Sequence, residues 1–266
     1  MTSETNDVLS SLDQLDVSID GQVALVVLNR PAKRNAISDA LIAQLHTCFV
    51  SMPATVRAVV LDGAGEHFCA GLDLSELADH DIAGGIAHSR SWHAAFDAIQ
   101  SGRVPVVAVL HGAVIGGGLE LASAAHIRVA EDSAFYALPE GQRGLFVGGG
   151  GSVRIPRLVG LSMMTDMMLT GRVLNADEGH QAGLSNYRVG AGEGRNRARE
   201  LAGRIAGNAP LSNFAVLQAL PRIAKMSQDD GLFLESLMAA MAQGDPLAKE
   251  RMRSFLAGKS AKVGKQ

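Results

Sequence analysis

The sequence predicts an α/β fold, and three observations point to it. Short runs of branched apolar residues, "VALVVLN", "AVVLDG" and "VPVVAVLHG", alternate with helical apolar spacing through the first two-thirds of the chain. From residue 151 onward the spacing is helical almost throughout, broken by "GLSNYRV" near 183–189. The 266 residues are 47% hydrophobic, which suits one large domain with a real core, or a domain and a small appendage, and argues against disorder.

The elements follow in order. Residues 1–14 are mostly polar and read as a flexible N-terminus. "VSI" and "VALVVLN" flank the turn signal "DGQ" and form a hairpin. Ser38 is placed to cap the helix that follows it. "AVVLDG" at 58–63 is a buried strand, and "GEHFCAGLDLSELA" runs from a loop into a helix start capped by Asp73. Residues 85–102 are helical, with Trp92, Phe96 and Ile99 on one side. "VPVVAVLHG" is a second buried strand ending at Gly112, "LELASAA" a helix, "HIRVA" a strand and "FYAL" one more. The division expected is a core domain over 15–200 and a C-terminal helical region over 201–266. The small, basic tail "GKSAKVGK" is expected to be mobile.

Composition excludes several function classes. A net charge of −3 offers no field to draw nucleic acid or an acidic membrane, and 4% aromatic residues leave little for base stacking. Cys48 and Cys69 make neither a disulfide framework nor a zinc site, so no metal centre is expected, and two reduced thiols suit the cytoplasm. "MTSETNDVLSSLDQL" lacks the pattern of a signal peptide, and no apolar run reaches the roughly 18 residues of a membrane helix. The expectation is a cytoplasmic protein with no nucleic-acid or membrane partner.

Three segments carry chemistry. In "HGAVIGGGLELA", Gly116, Gly117 and Gly118 stand where a strand has ended and a helix begins, with Glu120 just behind. Glycine lets a ligand approach the backbone there, and the unpaired N–H groups of a first helical turn favour negative charge. The segment reads as an oxyanion hole beside an acid, or as a phosphate cradle. "GGGLE" has neither the Lys-Ser/Thr of a P-loop nor the spacing of a dinucleotide turn, and a carboxylate there would repel phosphate. The second segment, "HFCAGLDL" at 67–74, is either a plain strand–helix turn or the source of a second N–H, from Ala70, facing the same point as that of Gly117. In the third, Glu140 lies between Pro139 and Gly141, and Gly148 to Gly151 precede a helix; the plain reading is a solvated acid and a flexible turn.

Together these segments resemble the crotonase family, the enoyl-CoA hydratase/isomerase superfamily. "RPAKRNAIS" at 30–38 is similar to the family's signature around its CoA site. "FCAGLDL" resembles the first oxyanion-hole loop, "HGAVIGGGLELA" the second with the first catalytic glutamate, and "LPEGQRGLFVGGGG" the segment of the second glutamate. "LTGRVLNADEGHQAGLSNYRV" and "LAKERMRSFLAGK" resemble later family segments, so that the resemblance covers roughly residues 15–260.

The resemblance implies a crotonase spiral of repeated strand–strand–helix (ββα) units with a helical C-terminal region. It implies Ala70 and Gly117 as backbone donors to a thioester oxygen, and Glu120 and Glu140 as the acid–base pair. Lys33, Ala70, Gly71, Leu72, Asp73, Gly116 and Gly117 become the residues that bind substrate and CoA. Having both glutamates implies an enoyl-CoA hydratase, with an enoyl-CoA isomerase or another acyl-CoA lyase of the family as the alternative. Glu120 would activate water and Glu140 handle the α-carbon proton. The substrate would be an acyl-CoA thioester, with no cofactor besides the CoA it carries, and the chain would form a homotrimer or homohexamer. His111, His126, Arg143, Val147 and the "YAL" before Pro139 depart from the family's common pattern. From their residue types, both histidines are expected to be structural, and Tyr136 and Trp92 to pack in the core ahead of lining an acyl pocket.

Overall fold

The computed structural model describes residues 7–76 and 81–258. The chain divides into two compact units, Met1–Ala206 and Gly207–Gln266, at the end of a helix six residues beyond the expected boundary at 200/201. In the first unit the described strands are β1 (Leu15–Asp20), β2 (Val23–Leu28), β3 (Ala58–Gly63), β4 (Val106–Leu110), β5 (Ala113–Ile115), β6 (Ile127–Glu131), β7 (Phe135–Ala137), β8 (Leu174–Asn175) and β9 (Tyr187–Val189). Its helices are α1 (Asp39–Val50), α2 (Ile82–Gln100), α3 (Gly117–Ala124), α4 (Gly151–Val159), α5 (Leu161–Thr170), α6 (Ala176–Ala182) and α7 (Gly194–Ala206).

Six strands form one sheet in the order β1-β2-β3-β4-β6-β9, with an antiparallel hairpin β1–β2 and parallel pairs thereafter. A smaller sheet runs β5-β7-β8. The chain climbs by repeats in which one strand joins the large sheet and the next joins the small one: β4 then β5 before α3, and β6 then β7 before α4. Every residue of β3 and β4 is buried, because both faces of the large sheet are covered. Val59, Leu61, Ala108 and Leu110 face a core shared with Leu41, Leu45, Trp92, Phe96 and Leu119. Val60, Val107, Val109 and Val129 pack on Ala198, Leu201 and Ala202 of α7. This two-sided burial explains why these strands read as unbroken apolar runs.

The expected cap at Ser38 is present, and the helix expected over 85–102 runs from Ile82 to Gln100 with Asp81 as its cap. Ser38 Oγ accepts from the Leu41 amide at 3.1 Å, and Asp81 Oδ1 from the Gly84 amide at 2.7 Å. The N-terminus corrects one expectation. Leu9 and Leu12 are buried in the core, so the portion of 1–14 beyond residue 6 is packed, whereas 1–6 lie outside the described residues. The helix expected from "LSELA" is a short 3₁₀ turn, Leu74–Glu76, and its remainder lies outside the described residues, as does the basic tail from 259 onward.

The second unit is helical: α8 (Pro210–Phe214), a π-helical turn at Ala215–Ala219, α9 (Leu220–Ile223), α10 (Gln228–Gly244) and α11 (Pro246–Leu256). Among the described residues no helix is long and apolar enough to cross a membrane.

Candidate active site

Two loops meet beside the first turn of α3. The loop after β3 pairs through Cys69 with Val114 of β5, and through Leu72 with Ile37, so Gly71 lies against Ile115 and Gly117. The three glycines of 116–118 are required by close approach. A Cβ on Gly116, whose φ is +53°, would lie 2.5 Å from Glu140 Oε1. One on Gly117 would lie 2.7 Å from Trp92 Cζ3, and one on Gly118 would collide with the Cys69 carbonyl oxygen.

Backbone hydrogen bonding decides which amides are available here, and it corrects the sequence reading. The Ala70 N–H donates to the Arg34 carbonyl at 3.0 Å, so it is spent within the fold. In the pairing of Ile37 with Leu72, the Ile37 amide donates to the Gly71 carbonyl and the Asp73 amide to the Ile37 carbonyl. That leaves the Leu72 N–H on the opposite edge of the strand. Among the described residues neither the Leu72 nor the Gly117 N–H has a hydrogen-bond acceptor. The two nitrogens are neighbours: a Cβ on Gly117 would sit 3.5 Å from the Leu72 nitrogen. The pair of free donors is Leu72 with Gly117, and Ala70 lines the cleft without offering its N–H.

Glu120 is buried in the first turn of α3, where the helix dipole favours its charge. Its Oε1 accepts from the amides of Gly149 and Gly151, each at 2.8 Å. Both glycines are close-packed against it, since a Cβ on Gly151 would be 2.7 Å from Glu120 Cγ. Burial raises the Glu120 pKa; the Gly151 and Gly149 amides oppose this, the Glu140 charge adds to it, and Arg154 opposes it. Glu140 stands immediately before the 3₁₀ turn Gly141–Arg143, with no capping bond from its side chain, and is half-buried. Its Oε2 is buried with no hydrogen-bond partner among the described residues. Burial raises its pKa too, against its own backbone amide and the Arg143 charge. The two acids therefore lie in one site, each disfavoured as an anion, and only Glu120 is clasped by two amides from a neighbouring loop.

A cleft of about 290 Å³ joins these parts. Ala70, Gly71, Leu72, Gly116, Gly117, Glu120 and Glu140 all line it, with Trp92, Ile115, Leu145, Phe146 and Val147 as its apolar wall. His88 and Ser89 of α2 also line it, although sequence reasoning passed over them. Their signal was present, for 85, 88, 89, 92 and 96 share one helical face. Two expected binding residues fall outside this lining. Asp73 Oδ2 accepts from Arg30 at 2.9 Å and Oδ1 accepts from the Ser75 amide and hydroxyl, so Asp73 braces the loop. Lys33 Nζ lies at the surface, 3.2 Å from Ser75 Oγ. Tyr136 is fully buried in the core, whereas Trp92 serves both core and cleft. Among the described residues no group of three or more His, Cys, Asp or Glu side chains could hold a metal ion.

Comparison with known proteins agrees with this geometry. The profile of the enoyl-CoA hydratase/isomerase family matches residues 18–262. The chain is 32% identical over 248 residues to a short-chain-enoyl-CoA hydratase of Clostridium acetobutylicum, covering 92% of this chain and 95% of that one. It is 34% identical over 226 residues to a carnitinyl-CoA dehydratase of Proteus mirabilis, covering 82% and 84%. Among solved structures it superposes on a protein provisionally named enoyl-CoA hydratase from Rhodopseudomonas palustris CGA009, with a TM-score of 0.91 and 58% identity over 95% of this chain and 98% of that one. The fold is thus the crotonase spiral that the resemblance implied. By its sequence, its fold and the two carboxylates in its cleft, the chain belongs to the enoyl-CoA hydratase/isomerase family.

Proposed function

We propose that the chain is an enoyl-CoA hydratase, adding water across the α,β double bond of an enoyl-CoA thioester to give a 3-hydroxyacyl-CoA. The observation that carries this reading is the presence of two acids, Glu120 and Glu140, in one cleft with two unpaired backbone N–H donors. Conjugation to the thioester makes the β carbon electrophilic and sends the developing charge to the carbonyl oxygen. The Leu72 and Gly117 amides receive that charge, stabilising the enolate more than the ground state. In other enzymes one such donor contributes about 10²–10³ in rate.

Glu120 serves as the base that activates water. The Gly149 and Gly151 amides fix its Oε1 and support its negative charge. Glu140 serves as the acid that delivers the proton to the α carbon, because its buried Oε2 has no donor to support a charge. Two neighbouring carboxylates that share one proton suit this division of labour. The chemistry so written needs no cofactor beyond the CoA of the substrate. A cytoplasmic location goes with it: Cys48 and Cys69 are both free and buried, and cysteine usage without disulfides suits a reducing compartment.

The test is a panel of enoyl-CoA thioesters, followed by loss of the conjugated absorbance and mass analysis of products. Glu120→Gln is expected to abolish hydration while keeping the fold and CoA binding; hydration at the parent rate would remove Glu120 from the mechanism and favour an isomerase. Glu140→Gln is expected to stop both hydration and exchange of α-protons, read by incubating a saturated acyl-CoA in deuterated water. A folded Glu140→Gln protein that exchanges at the parent rate would overturn the two-acid mechanism.

A further inference from the structure

The loop 148–151 supplies both amides that hold Glu120, yet four consecutive glycines give it no stiffness of their own. Its conformation is imposed from outside. Arg154, in the first turns of α4, is 8% exposed and spends its guanidinium on three acceptors. Nη1 donates to the Gly149 carbonyl at 2.9 Å, Nε to Gln100 Oε1 at 2.7 Å and Nη2 to Asp97 Oδ1 at 3.0 Å. Asp97 and Gln100 both lie in the last turn of α2, so one side chain ties the loop to that helix. Gly150 wraps the guanidinium so closely that a Cβ there would collide with Nη1.

The tie fixes a specific peptide. Gly149 offers its N–H to Glu120 and its carbonyl to Arg154, so the peptides on either side of its Cα are oriented together. The preceding one is held as well, because Ser89 Oγ donates to the Gly148 carbonyl at 2.6 Å. That carbonyl belongs to the same planar unit as the Gly149 N–H. A buried cation is costly unless its geometry is put to use, and a residue that only filled this space would not need a charge.

We propose that Arg154 is a positioning residue for Glu120: it fixes Gly149 between α2 and α4 so that the Gly149 and Gly151 amides converge on Glu120 Oε1, and it lends its charge to the ionised carboxylate. The proposal rests on the reading of Glu120 as the base. The charges bearing on Glu120 are Glu140, from the loop after β7, and Arg154 itself; Arg154 in turn faces Asp97 and Arg157.

The test compares Arg154→Met and Arg154→Lys with the parent enzyme, by steady-state kinetics and by a ¹³C NMR titration of the Glu120 carboxylate without substrate. Methionine keeps volume and loses the fork and the charge; lysine keeps the charge and loses the fork. In Arg154→Met, kcat is expected to fall by about 10²-fold with KM nearly unchanged, as for a misplaced catalytic group, and the Glu120 titration to move to higher pH. In Arg154→Lys, kcat falls while the titration moves less. If Arg154→Met fails to fold, Gln100→Ala loosens the same tether from one neutral side chain, and a fall in kcat at constant KM is again expected. Folded variants with the parent's kcat and Glu120 titration overturn the proposal, as does a lowered Tm with kcat and titration unmoved. The titration needs no turnover, so a failure of the hydratase reading would show in the substrate panel and leave this measurement standing.

Discussion

His111 and His126, one after β4 and the other before β6, are shifted in opposite directions from the ordinary histidine value. His126 Nδ1 accepts the Val106 amide at 3.0 Å, and Nε2 reaches the Gln100 carbonyl at 3.0 Å, an arrangement that only the neutral ring satisfies. Burial lowers its pKa, with Gln100 opposing and Arg128 assisting. Burial would lower the pKa of His111 too, but the hydrogen bond and charge of Asp62, the Glu131 charge and the Glu66 backbone together raise it. Its Nε2 stands 3.2 Å from Asp62 Oδ1, and Asp62 is itself paired with Arg195 at 2.6 Å. The signs follow by linkage. His111, with a raised folded value, contributes stability that is full below its ordinary value of 6.5 and is lost as pH rises through the folded one. His126, with a lowered value, contributes stability that is full above 6.5 and is lost as pH falls through the folded one. The Tm difference between the parent and His111→Asn is therefore expected to be largest on the acid side and to narrow as pH rises. A difference that grows with pH would mean that His111 is held neutral.

At the scale of elements, a glycine in a helix has a meaning set by what touches it. Gly118 lies inside α3 and Gly203 inside α7. In a free helix alanine is better than glycine by about 1 kcal/mol. At Gly203 a Cβ meets nothing within 4 Å, so Gly203→Ala is expected to stabilise by about 0.4–1 kcal/mol. At Gly118 the Cβ would strike the Cys69 carbonyl, a backbone atom that cannot swing aside. Overpacking of that kind costs about 1–3 kcal/mol and exceeds the gain in propensity. Gly118→Ala is expected to destabilise, and to shift the loop carrying Leu72 enough to lower turnover. Urea denaturation of the two variants checks the opposite signs; equal stabilisation in both would show that the loop after β3 does not press on α3.

For the whole molecule, the helical C-terminal unit exposes Leu232, Phe233, Leu237 and Met241 on α10, and Leu247, Met252, Phe255 and Leu256 on α11. Exposed apolar side chains gathered on two helices offer a surface for a second copy to cover. With the family resemblance, it leads us to expect a trimer or a dimer of trimers. Light scattering that returns a monomer at micromolar concentration would rule this out.

Much of the fold was legible because the relevant physics is local. Two-sided burial writes strands as apolar runs, as in 58–63 and 106–110, and helix starts carry their caps at Ser38. The resemblance carried by the order of the segments implied the two acids, Glu120 and Glu140, and the fold brings both to one cleft. The sequence by itself thus determined the α/β class and, through that resemblance, the family. Only the tertiary structure decided which amides are free. Ala70 and Leu72 sit two apart in one loop, and the difference lies in a carbonyl from Arg34 that no local pattern announces. It likewise turned Asp73 toward Arg30, outside the cleft lining, and brought Asp97 and Gln100 of α2 to Arg154. A hydrogen bond between distant segments depends on where the sheet brings them, and a one-dimensional pattern records a residue's own preference without recording its partner.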